Sequence, residues 1–199
     1  MTETVVCVLR SGGDYGPEHV RRLRDQLSRW SPECRLLCLS DAEIDGVEVL
    51  PLAFDWPGWW SKMELFRPDL TGDFVFLDLD VSIVGDLTNL FAVHETAVMR
   101  DVYRPDGLQS AAMVLKQSDR AEVWARWIAS PGHWMRKFRR GGDQAFLETV
   151  WLGRVTRLQD LLPARQLVSF KADVRGRELP EAASIVMFHG RPRPWEVGW

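Results

Sequence analysis

The sequence predicts an α/β domain built on a mostly parallel central sheet. Two observations carry that prediction. Residues 4–9 (TVVCVL), 35–39 and 47–52 are short apolar runs, and an amphipathic segment lies between the first two; this β–α–β–β order is that of a wound sheet. Further along, residues 74–77 (FVFL) form a continuous apolar run of the kind buried on both faces, followed at once by Asp78 and Asp80. Ligands of such sheets bind beyond the carboxyl ends of the strands, and that is where these two carboxylates fall.

The elements follow in order. After residues 4–9 comes SGGDYGP, whose glycines and proline mark a loop leading into a helix with Pro17 in its first turn. Val20, Leu23, Leu27 and Trp30 recur at helical spacing, with arginines on the opposite face. His19, in the first turn of that helix, is expected to be solvated. Ser11, Asp14, Tyr15 and Asp41 lie at strand ends, where each is either a turn residue or a ligand contact, and Tyr15 has a ring that could stack on a base. Pro57 and Gly58 open a short helix stopped by Pro68, with Met63, Leu65 and Phe66 inward and Lys62 among them. Lys62 is either a solvated lysine or a countercharge for phosphate.

The Asp78-x-Asp80 pair is read as two side chains on one face of a strand end. At roughly 6–7 Å and an effective dielectric near 20, the two charges repel by about 2–3 kcal/mol. A divalent cation would relieve that repulsion, and carboxylate oxygens suit Mg²⁺ and Mn²⁺. A solvated acidic turn is the structural alternative. Residues 86–91 then form a short helix, and 97–102 and 109–115 are strands. Residues 120–129 form a helix burying Val123, Trp124, Trp127 and Ile128. Residues 138–142 form a loop, and Asp143 and Gln144 open a further helix in which Asp143 is a natural N-cap. Residues 155–158 and 168–171 are short strands. The last strand, 183–188, delivers His189 into the loop HGRPRPW.

The bulk properties narrow the function. At 199 residues, with 46% hydrophobic and 27% charged residues, the chain fits one globular domain over 1–199. A net charge of -3 gives no support for nucleic-acid binding through bulk electrostatics. No stretch is apolar enough to span a bilayer, and the first residues show no signal-peptide pattern. Cys7, Cys34 and Cys38 lack the neighbours of a zinc site and read as buried reduced thiols, which points to a cytoplasmic setting. Several of the ten tryptophans lie beside Pro and Gly, where a ring closes a core or forms a platform for a sugar or base.

In order, SGGDYG, WWSKMELF, FLDLDVSIVGDL, LQSAAMVLK, GGDQAFL and FHGRPRPW resemble the GT-A-fold glycosyltransferases of family 8, the group of glycogenin and the bacterial lipooligosaccharide galactosyltransferases. The resemblance runs from the first strand to Trp195. It implies a single Rossmann-like nucleotide-diphospho-sugar transferase domain, a UDP-linked donor, a hydroxyl acceptor of unspecified identity, and retention of configuration. By the same resemblance, Asp78, Asp80 and His189 would hold Mn²⁺ (or Mg²⁺), with Asp78 also near the ribose. Ser11, Asp14, Tyr15, Lys62, Gly190 and Arg193 would meet the nucleotide-sugar, and Asp143 and Gln144 would lie against the donor sugar as catalytic residues.

This chain departs from the family pattern. Aligned on Gly190, Met187 occupies the usual histidine place and His189 falls two positions later. Arg193 replaces a lysine, and Gln109-Ser110-Ala111 replaces Asn-Ser-Gly. Those changes leave open a binding module without turnover. FLDLDVSIV also resembles the nucleophile strand of haloacid-dehalogenase-like phosphatases, where Asp78 would be the nucleophile and Asp80 the general acid. That fold opens with this strand, whereas here a β–α pattern precedes it.

Overall fold

Strand β1 (Thr4–Leu9) is an interior strand of the main sheet. Val5, Cys7 and Leu9 pack into one core and Val6 into another, as the two-residue period of a strand requires. In the computed structural model, which describes residues 3–199, β1 is followed by α1 (Pro17–Trp30), β2 (Arg35–Ser40) and β3 (Glu48–Pro51). A 3₁₀ helix (Gly58–Phe66), β4 (Phe74–Leu77), β5 (Val81–Ile83), α2 (Thr88–Phe91), β6 (Ala97–Arg100) and β7 (Leu108–Leu115) come next. The remainder holds α3 (Gln117–Ala129), α4 (Pro131–Lys137), α5 (Gly142–Trp151), β8 (Thr156–Arg157), α6 (Leu158–Leu161), β9 (Leu167–Ser169) and β10 (Ile185–Met187).

The main sheet has seven strands in the order β3-β2-β1-β4-β7-β6-β8. Pairings β1–β2, β1–β4, β2–β3 and β6–β8 are parallel, while β7 runs against both β4 and β6. The winding direction reverses between β1 and β4, which opens a crevice beyond their carboxyl ends. Because β7 is antiparallel, its first residues and not its last reach that crevice: Leu77 pairs with Ala112, and the Asp78 N–H donates to the Ala111 carbonyl at 2.9 Å.

One face of the sheet is covered by α1, through Val20, Leu23 and Leu27, and by a three-stranded sheet ordered β5-β10-β9. The other face is covered by the 3₁₀ helix, α3 and α5, where Trp60 stacks on Trp127 at 5.3 Å between ring centres. No helix among the described residues is long and apolar enough to cross a membrane.

Several expectations change. Thr156–Arg157 is strand for two residues only and runs into α6, and β9 ends at Ser169 in a single π turn. Trp30 and Ile128 share the period of buried neighbours but stay partly exposed, at the margins of their helices' apolar stripes. The stretch 131–137, for which the sequence pattern named no element, is the helix α4. Cys34 is only half-buried; Cys7 and Cys38 are buried, and all three thiols are free. The strand carrying Phe74–Leu77 is the fourth in the chain and lies beside β1, which does not match a phosphatase fold that begins with it.

The edge of the crevice is braced by a buried ion pair. Glu64 is wholly buried and accepts from the Ala53 and Phe54 N–H groups at 2.7 and 2.9 Å and from Arg67 Nη1 at 2.7 Å. Arg67 also donates to the Pro51 carbonyl at 3.1 Å. Glu64→Ala should therefore lower unfolding stability by about 3–5 kcal/mol, since it strands a buried guanidinium and two backbone donors. Urea denaturation measures this, and a loss below about 1 kcal/mol would mean that Asp69, the other carboxylate on Arg67, suffices.

Candidate functional site

A cavity of about 510 Å³ opens at the crevice. Its walls come from the loop after β1 (Gly13, Asp14, Tyr15), the 3₁₀ helix (Trp59, Ser61, Lys62), the turn after β4 (Asp78, Asp80), the start of β7 (Gln109, Ser110) and the start of α5 (Gly142, Asp143, Gln144). Phe188, His189, Gly190 and Arg193 complete it from the C-terminal loop. Asp78 and Asp80 do not lie in the strand as expected. β4 ends at Leu77 and the chain turns, so the pair shares the cavity through that turn and not through a strand face.

Lys62 is the centre of the first cluster. Its Nζ lies 3.0 Å from Asp78 Oδ2, 3.2 Å from Asp143 Oδ2 and 3.4 Å from Ser110 Oγ, and Ser110 Oγ donates to Asp143 Oδ2 at 2.7 Å. Asp143 is not the N-cap of its helix; Gly141 is, and Asp143 turns inward with its side chain only 7% exposed. Gly142 makes this possible. Its φ is +61°, and a Cβ there would stand 2.9 Å from the Trp59 indole nitrogen. Burial pushes the Asp78 carboxyl up; Lys62 opposes that, Asp80 and Asp143 add to it, and the pKa reaches about 7. For Lys62 burial works against the charge, but Asp143 and Asp78 outweigh it and the pKa rises. At neutral pH the ammonium is charged and Asp78 is divided between its two forms.

The second cluster surrounds Asp80. The Tyr15 hydroxyl donates to Asp80 Oδ2 at 3.0 Å, and the Arg193 guanidinium forms a close ion pair with the same oxygen. Arg193 Nη2 is 3.5 Å from Asp14, and the guanidinium carbon is 5.1 Å from the centre of the Tyr15 ring. Burial and the neighbouring Asp80 both raise the Tyr15 pKa, against Arg193, so the phenol stays protonated. Behind the turn, Arg22 donates to the Leu79 and Val81 carbonyls at 2.8 and 2.7 Å and to Ser82 Oγ at 3.0 Å. Burial lowers its pKa to about 10, which leaves it charged.

His19, expected in solvent, accepts at Nδ1 from the Gly16 N–H at 2.8 Å and lies 3.9 Å from the Trp195 ring centre. That contact fastens the C-terminal loop to the start of α1.

His189 faces Gln109, whose side-chain amide contacts Nδ1. His189 Nε2 and Gln109 Oε1 are buried without a hydrogen-bond partner, and burial lowers the imidazole pKa. Gln144 Nε2 donates to Asp101 at 3.3 Å. Ser11 stands outside the cavity lining, with its N–H and Oγ both 2.8 Å from Asp41. Residue patterns pointed to neither Arg10 nor Arg140, both of which line the cavity. Arg10 sits one residue past β1 and Arg140 in the FRRGG loop, and no local spacing distinguishes them from solvated arginines. Trp59, 51% exposed beside Gly142, was detectable only as a tryptophan in a Pro/Gly loop.

The residues that the resemblance assigns to a metal are held by other side chains. Among the described residues, no group of three or more His, Cys, Asp and Glu side chains is placed to hold a metal ion. Lys62 meets Asp78 Oδ2, Tyr15 and Arg193 both meet Asp80 Oδ2, and Gln109 meets His189 Nδ1, while His189 Nε2 has no partner. Met187, in the place where the family carries its histidine, is 1% exposed within the core. A divalent ion on Asp80 would also be repelled by the adjoining guanidinium, by several kcal/mol even at an effective dielectric near 20.

No protein-family model matches the chain, and no curated protein matches it by sequence. Solved structures do resemble it. The glycosyltransferase GlyE of Streptococcus pneumoniae TIGR4 aligns with a TM-score of 0.73 at 14% identity, over 98% of this chain and 56% of its own. The galactosyltransferase LgtC, solved with donor and acceptor sugar analogs, gives 0.67 at 13% identity, over 96% of this chain and 89% of its own. The bifunctional WbbM gives 0.63 at 15% identity, over 98% of this chain and 47% of its own. The chain thus spans about half the length of GlyE and of WbbM. At such identities the likeness establishes the fold, which is that of GT-A glycosyltransferases.

The raised pKa of Asp78 has a signed consequence. Between about pH 4 and 7 the unfolded chain releases this proton while the folded chain retains it, so stability falls across that window and stays lower above it. Asp78→Asn removes the effect and leaves Lys62 paired with Asp143. The melting temperature of the variant relative to the parent should rise between pH 4.5 and 7 and then level. A constant difference across that range would show that Asp78 titrates as an ordinary carboxyl.

Proposed function

We propose that the chain is a glycosyltransferase that moves a sugar from a nucleotide-sugar donor, UDP-linked, to an acceptor hydroxyl. The observation that carries this is the coincidence of a GT-A sheet with a cavity at its β1/β4 reversal whose walls hold Arg10, Lys62, Arg140 and Arg193. Those cations suit a diphosphate. The unpartnered His189 Nε2 and Gln109 Oε1 in the same wall suit a sugar hydroxyl, which is both donor and acceptor.

In this reading the Asp14 and Tyr15 loop receives the base, and Arg193 and Lys62 meet the phosphates. Gly190, with φ at +70° and no atom within 4 Å of where its Cβ would be, leaves the loop open towards the donor. The acceptor oxygen bonds to the anomeric carbon as the bond from that carbon to the phosphate oxygen breaks. The acceptor proton leaves with the released diphosphate, whose charge Lys62 and Arg193 stabilise. Gln144 lies against the donor sugar, and Asp143 acts by holding Lys62 charged and in place. Retention of configuration is supported by the resemblance of the DxD, Asp-Gln and C-terminal motifs to family 8. The free thiols of Cys7, Cys34 and Cys38 suit a reducing compartment, so a cytoplasmic site of action belongs to the same reading.

A panel of nucleotide-sugars screened by thermal shift, followed by assay of nucleotide release, tests the proposal. One UDP-sugar should raise the melting temperature by several degrees near saturation, and release should accelerate when the acceptor is supplied. Binding with no release over long incubation would instead support the binding module. Lys62→Met should cut kcat by about 10²–10³ per folded molecule, with the folded fraction measured by circular dichroism.

A further inference from the structure

We propose that Arg193 takes the place a divalent cation would have at Asp80, so that the nucleoside diphosphate of the donor binds without a metal ion. The inference rests on the nucleotide-sugar reading and concerns how the diphosphate is held.

A metal ion in such a site bridges a protein carboxylate to the phosphates. A guanidinium can do the same. It carries five N–H donors in a planar fork, remains charged at any working pH, and sheds water more readily than an ammonium does. Here one side of Arg193 is fixed by Asp80, a second by Asp14 at 3.5 Å, and its face by the Tyr15 ring. The side chain keeps 17% exposure within the cavity lining, which leaves N–H groups for an incoming anion.

The backbone is equally well fixed. Pro192 and Pro194 restrict φ on either side. The Arg193 N–H donates to Glu196 at 2.8 Å, and the next ring, Trp195, is seated on His19. Arg22 supplies a second buried positive charge beneath the same turn. Each carboxylate of the Asp78-x-Asp80 pair is therefore already matched to a side-chain cation, Asp78 to Lys62 and Asp80 to Arg193. Met187 is buried in the core, and no group of three or more His, Cys, Asp and Glu side chains is placed to hold a metal ion among the described residues.

The test is calorimetric titration of UDP into protein stripped with EDTA, in EDTA and then in excess MnCl₂, beside a titration of Mn²⁺ alone followed by the electron paramagnetic resonance of the free ion. UDP should bind with the same affinity in both buffers within about threefold. Arg193→Met should weaken it about 10- to 100-fold, and Arg193→Lys should restore part of the loss. The native protein should show no stoichiometric Mn²⁺ uptake, a measurement that holds even if the Arg193 variants fail to fold. Tight Mn²⁺ uptake, or UDP binding that needs Mn²⁺ and tolerates Arg193→Met, would overturn the inference while leaving the nucleotide-sugar reading intact. Absence of UDP binding in either buffer, with no other nucleoside diphosphate binding, would overturn both.

Discussion

Everything around the cavity is arranged about one ammonium group. Lys62 comes from the 3₁₀ helix, Asp78 from the end of β4, Ser110 from β7 and Asp143 from α5, and their polar atoms meet within 3.4 Å of the lysine nitrogen. A buried charge is tolerated only when it is paired and hydrogen-bonded, so these four elements cannot drift apart without exposing an unmatched charge to an apolar interior. The cluster is also overfilled with negative charge, two carboxylates to one ammonium. Burial raises Asp78, and the neighbouring carboxylates Asp80 and Asp143 add to it against Lys62.

The two clusters divide the labour of the turn after β4. Asp78 faces the sheet and is held by its interior; Asp80 faces the C-terminal loop and is held by its arginine. Arg22 fixes the backbone between them by taking the Leu79 and Val81 carbonyls. The turn is rigid although it lies outside any strand. The C-terminal loop is held in turn through Trp195 on His19, so α1 contributes both the buttress behind the turn and the anchor for the loop in front of it.

Much of this could be read from the residues because the sheet follows simple periodicity. The apolar runs at 4–9, 35–39 and 74–77 became strands with boundaries close to those expected; the placing of Asp14, Tyr15, Asp78 and His189 about one cavity followed from their positions at strand ends, and that of Asp143 and Arg193 from the family resemblance. What could not be read was pairing. Nothing local says that Asp143 will turn inward to Lys62 and not cap its helix; that depends on Gly142 yielding to Trp59. Nothing local says that Asp80 will find Arg193, which lies 113 residues away in sequence. Trp30 and Ile128 obey the helical period but lie where the covering layer stops, and His19 looked solvated because its partner is a tryptophan near the other end of the chain. Period reveals which face a residue takes, whereas the partner on that face is a property of the fold.

The reversed strand β7 has a consequence for how such a domain can change. Because β6 ends and β7 begins at the mouth of the cavity, residues 101–107 form a hairpin connection on the rim, tipped by Tyr103, which is 66% exposed. A hairpin loop can be lengthened or exchanged without altering the pairing of the strands that carry it, and the register shift between Val98 and Met99 already absorbs an irregularity there. The wall facing the fixed charges is thus the part of the molecule most open to diversification.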